Sequence, residues 1–79
     1  MQFEEAGLQA LLARLQEIRS NGIEEIELPV ETVRELLDPN GLPWHWSQEH
    51  SDYLMSWAKP RGVVLTSKWQ QSKIWFRLA

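Results

Sequence analysis

Seventy-nine residues, 43% of them hydrophobic and none of them cysteine, suffice for one small domain with a single core; a deep catalytic cleft, a disulfide and a thiolate metal site are excluded. The formal net charge of −3 conceals a division, because residues 1–40 carry nine acids and three bases while residues 41–79 carry two acids and five bases. The positive half is modest beside the strongly basic domains that grip phosphate backbones.

The N-terminal stretch MQFEEAGLQALLARLQ sets two glutamates ahead of its apolar residues, whereas a signal peptide opens on a basic region. No apolar run approaches the length of a membrane span, so a soluble protein in a cytoplasmic setting, with no membrane partner, is expected. Leu8, Leu11, Leu12, Leu15 and Ile18 recur at the spacing of one helical face and predict a first helix. Glu4 and Glu5 lie near its positive end, and Ser20-Asn21-Gly22 supplies a left-handed exit.

IEEIEL then alternates, predicting a brief strand with Ile26 and Leu28 on one face that Pro29 keeps from continuing as a central strand. Val30, Val33, Leu36 and Leu37 stripe a second helix, entered at Pro29 and ended by Asp38-Pro39-Asn40-Gly41. LPWHW reads as irregular. Ser47 offers a hydroxyl cap to a third helix, SQEHSDYLMSWAK, in which His50, Tyr53, Leu54, Trp57 and Ala58 share one side and which stops before Pro60 and Gly62. Val63 and Leu65 alternate on one face of the next run, and Ile74, Phe76 and Leu78 on one face of the last, opposite Trp75 and Arg77. An antiparallel hairpin follows. Its tip, Lys68 to Ser72, lacks the Asn-Gly or Asp-Gly of a tight two-residue turn, so a longer loop is expected.

In element order, and in the placement of VETVRELLD, SQEHSDYLMSWAK and VVLTSKWQQSKIWFRL, the chain resembles the winged helix-turn-helix superfamily over nearly its whole length. The likeness is one of architecture and indicates no narrower family. The connection DPNGLPWHW departs from it, being longer than the short turn of a simple helix-turn-helix. The resemblance implies an α+β, winged-helix-like single domain over residues 1–79, ordered α-β-α-α-β-β, with a C-terminal hairpin as the wing. It further implies a regulatory protein that binds duplex DNA. The third helix would then read bases through outward Gln48, Ser51 and Ser56, beside Asp52 and Met55; Lys59, Arg61, Lys68 and Lys73 would form a phosphate strip, with Trp69 on the wing. Glu49 and Asp52 would repel phosphates, so a homodimer would help by doubling the contacts.

Other readings stand beside these. A protein-interaction module or small inhibitor would use Trp69 and Trp75 as anchors together with the acidic first half. Trp69 between Lys68 and Lys73 also suits a solvated loop whose indole folds back over the sheet, and Trp75 suits either a partner contact or cover by the first helix. Trp57 is expected in the core, and Trp44 and Trp46 are expected to pack against the third helix. His45, His50 and Asp52 lack the spacing of a metal site, and no serine comes with a histidine and carboxylate in a pocket this domain could build, so no cofactor, metal or enzymatic activity is expected. Glu24, Glu25, Glu27, Glu31 and Glu35 read either as a solvated face or as a surface that docks a basic protein or imitates nucleic-acid phosphates.

Overall fold

The structure of the chain, a computed structural model, describes residues 3–37 and 46–78. Helix α1, Glu5–Ser20, buries Leu8, Leu11, Leu12 and Leu15, so the leucine spacing does form the core-facing stripe. It ends in a Schellman motif. The Gly22 N–H donates to the Arg19 carbonyl at 3.0 Å and the Ile23 N–H to the Ile18 carbonyl at 3.4 Å, with Gly22 at φ 88, where a side chain would be strained. Near the other end, a Cβ on Gly7 would overlap the backbone carbonyl of Leu37, the last residue of α2 (Val30–Leu37). The two helices thus meet backbone to backbone, a contact available only to glycine.

Strands β1 (Glu25–Pro29), β2 (Leu65–Gln70) and β3 (Lys73–Leu78) make one antiparallel sheet in the order β1-β3-β2. Helix α3, Gln48–Ala58, passes into a 3₁₀ turn, Lys59–Arg61, before β2. The molecule is therefore α+β, three helices and a three-stranded sheet, and its described elements follow the expected order helix, strand, helix, helix, strand, strand. Leu65, Ser67, Ile74, Phe76 and Leu78 are buried on the helix side of the sheet against Leu8, Leu11, Val33, Leu37 and Leu54. Strand alternation sends Glu25 and Glu27, Lys73, Trp75 and Arg77, and Thr66, Lys68 and Gln70 to the opposite face.

The hydrogen-bond phase of the sheet follows from one bond. The Val30 N–H donates to the Ser72 carbonyl at 3.0 Å, so by alternation Ile26 and Leu28 bond toward β3 while the backbone groups of Glu25, Glu27 and Pro29 face away from it, the Pro29 carbonyl accepting the first bond of α2. Proline's missing donor then costs no ladder bond, which is how β1 runs to Pro29 at the sheet edge.

Several expectations change. The hairpin tip is a two-residue turn, Gln71–Ser72, with Lys68 and Trp69 inside β2; Gln71 adopts φ 60 at the first turn position, as a type II′ turn requires. On α3 the buried stripe is Ser51, Leu54 and Ala58, with His50, Tyr53 and Trp57 half-buried on its flank. Asp38-Pro39-Asn40-Gly41, Trp44 and His45 lie outside the described residues. No helix among the described residues is long and apolar enough to cross a membrane.

Candidate interaction surface

Helix α3 begins with a capping box of unusual composition. The Ser47 N–H donates to Nδ1 of His50 at 3.1 Å, and the Ser47 hydroxyl lies 3.0 Å from the same nitrogen, so His50 does the work that Glu or Gln does in most such boxes. The imidazole packs 5.2 Å from the Trp46 ring and 5.7 Å from Phe3. Burial there lowers its pKa from the ordinary value, and the nearby Glu49 carboxylate opposes that shift.

One turn further in, Ser51 is fully buried, which corrects its placement as an outward, nucleic-acid-contacting residue. Its hydroxyl oxygen accepts from the Trp46 indole N–H at 2.9 Å and from the Ser67 hydroxyl at 3.0 Å, tying α3, the segment before it and β2 together. Trp46 therefore packs against α3, as expected. Phe3, distant in the chain, lies 5.7 Å from the His50 ring and meets Tyr53 edge-on at 5.3 Å, so these two rings are partly covered at the flank of the helix and not on its buried stripe.

Gln48 is exposed, but its amide is already engaged. Its Oε1 accepts from the Trp69 backbone N–H at 3.0 Å, and its Nε2 donates to Asp52 at 3.1 Å and, more weakly, to the Ser67 carbonyl at 3.5 Å. Ser67 and Trp69 are the residues that β2 turns away from β3, so the amide stands where the next strand would. Reading an adenine edge would require breaking this clamp.

Arg61 is engaged too. Its guanidinium reaches Glu5 at 2.8 Å and the Trp57 carbonyl at 2.9 Å, and lies 4.3 Å from the Trp57 ring centroid. The Trp57 indole N–H donates to Glu5 at 3.0 Å, so Trp57 is a half-buried clasp between α1 and the end of α3 rather than a core residue. The Trp57 indole, then Arg61, hold the Glu5 carboxyl below the usual carboxylate range.

Ser56 is exposed on α3 and Lys59 at the start of the 3₁₀ turn. Lys68 and Lys73 are exposed on the hairpin, but alternation points them to the outer face of the sheet, away from the side on which α3 packs. The structure thus does not gather Lys59, Arg61, Lys68 and Lys73 into one strip. What the outer face does gather is Trp75 at its centre, half-buried, with Glu27 paired across β1 and Lys68 across β2. The Lys68 ammonium lies 5.5 Å from the Trp75 ring centroid, and Glu25, Ile26, Glu27 and Trp75 line a shallow cleft on the β1 side. Trp69, 43% exposed, sits on the other face near the turn, its indole N–H donating to the Gln71 carbonyl at 2.8 Å.

Sequence reasoning placed Glu25 and Glu27 in a general acidic run and did not single them out. The E-I-E alternation was the available signal, since it puts those two carboxylates, and not Glu24, on the face of Trp75. Compared with protein-family models, with curated proteins and with solved structures, the chain matches none.

Proposed function

We propose that this chain is a small winged-helix-like interaction module that binds another protein through the outer face of its sheet, centred on Trp75. The observation that carries this reading is the arrangement Glu27–Trp75–Lys68 across the three strands, a large amphipathic ring on an open face between charges of opposite sign. A half-exposed tryptophan in such a setting has the character of an interface anchor with a polar rim. The element order and the sheet order β1-β3-β2 support the winged-helix-like description.

The duplex-DNA reading has less to draw on. Arg61 is paired with Glu5, Ser51 is buried, Gln48 is bound to β2, and α3 exposes Glu49 and Asp52. Of the expected phosphate strip, Arg61 is taken by Glu5, and Lys59 does not share a face with Lys68 and Lys73.

Two measurements on the purified chain separate the readings. Trp75→Ala is expected to keep the fold, by circular dichroism and thermal melting, and to lose a protein partner identified by crosslinking to the wild type. A duplex titration is expected to show no binding at low salt. Tight, steeply salt-dependent duplex binding, abolished by Lys68→Glu with Lys73→Glu, would overturn the protein-partner reading in favour of DNA.

A further inference from the structure

The two edges of the sheet are not equivalent. At the β2 edge, the Gln48 amide occupies the outward Ser67 carbonyl and Trp69 N–H. At the β1 edge, no hydrogen bond within the described residues reaches the outward backbone groups of Glu25 and Glu27, while the Pro29 carbonyl is taken by the first turn of α2. Among the described residues, a side chain blocks one edge and the other is an open template for a strand.

We propose that the free edge of β1 accepts an extended, basic segment of a partner protein as a fourth, antiparallel strand. This rests on the protein-binding reading above and names the chemistry of the partner. Strand addition draws its affinity from backbone hydrogen bonds and its selectivity from alternate side chains. Residues opposite Glu25 and Glu27 would lie on the outer face with those carboxylates and close to the Trp75 indole, at the cleft they line with Ile26. Directly opposed side chains favour opposite charge and reject like charge, and the indole face adds a site for a cation. Lysine or arginine therefore suits those positions. The residues between them would fall beside half-buried Ile26 and Leu28, where aliphatic side chains fit. A second copy of β1 is a poor occupant, because EIELP laid antiparallel against itself sets glutamate against glutamate.

The test uses the full chain, labelled with ¹⁵N, and a capped synthetic peptide of alternating lysine and valine. Amide shifts are expected to concentrate at Glu25 and Glu27 and at the Trp75 indole, to weaken as salt rises, and to be absent with a peptide of alternating glutamate and valine. Glu27→Pro deletes an outward N–H without touching the β1–β3 ladder, and is expected to weaken binding about tenfold while the rest of the spectrum stays in place. Glu25→Lys, which leaves the backbone unaltered, is expected to weaken it as well. Shifts scattered over the whole surface, no shifts at millimolar peptide, or equal binding by Glu27→Pro would overturn edge pairing. If Trp75→Ala loses the crosslinked partner while Glu27→Pro retains it, the edge proposal falls and the outer-face reading stands; steep salt-dependent duplex binding removes the reading beneath both.

Discussion

Gln71 holds the hairpin together at a cost. A non-glycine residue at φ 60 suffers contact between its Cβ and its own backbone, and the turn keeps it because the flanking strands and the Trp69 indole bond to its carbonyl fix the geometry. Gln71→Gly is expected to raise the stability of the chain by about 0.5–1 kcal/mol, read from urea unfolding with an unchanged slope. A loss of stability would show that the glutamine side chain makes a compensating contact. Ser51 carries the opposite lesson. Its polarity suggested a surface position, yet the hydroxyl lies in the core because the Trp46 N–H and Ser67 hydroxyl both need an acceptor there.

Helix α3 depends on a cap that titrates. His50 must present an unprotonated Nδ1 to the Ser47 N–H, and burial already lowers its pKa below the ordinary value. The folded chain therefore takes up the proton less readily than the unfolded chain, so the stabilisation is fully present above the ordinary histidine pKa, about 6.5, and is lost as pH falls through the folded-state value. Thermal melts are expected to show stability declining on acidification from pH 7. His50→Gln, whose amide also accepts from the cap, should flatten that part of the profile; an unchanged decline would place the sensitive group elsewhere. The α1–α2 pair shows a different constraint. Gly7 stands within a helix-forming run, where glycine is unfavourable by about 1 kcal/mol relative to alanine, and its reason is the Leu37 carbonyl against it.

Across the molecule, charge and edge management act together. The acidic half supplies Glu25 and Glu27 to β1, and the basic half supplies Lys73 and Arg77 to β3 and Lys68 to β2, so the outer sheet face is acidic on β1 and basic on the other two strands. Among the described residues, Gln48 closes the β2 edge. Gln48→Ala is expected to expose the Ser67 carbonyl and Trp69 N–H and to make the chain self-associate with rising concentration, by sedimentation, more than the wild type does. Identical sedimentation of the two would show that the exposed β2 edge has no tendency to pair.

The elements themselves were legible from local pattern. The leucine stripe of α1, the Ser20-Asn21-Gly22 exit, the E-I-E alternation of β1 and the apolar alternation of β3 each sit within a few residues and need no distant partner to be read. The placement of side chains at the surface was not. Whether Ser51 faces solvent depends on Trp46 and Ser67, whether Arg61 is free depends on Glu5, and whether Gln48 is available depends on Trp69. Periodicity assigns a residue to one face of its own element, but which face is covered, and which polar groups are already satisfied, is set by elements far away in the chain. Tertiary packing alone thus dispersed the expected cationic strip and set Glu25 and Glu27, at the β1 edge, beside Trp75 on the central strand.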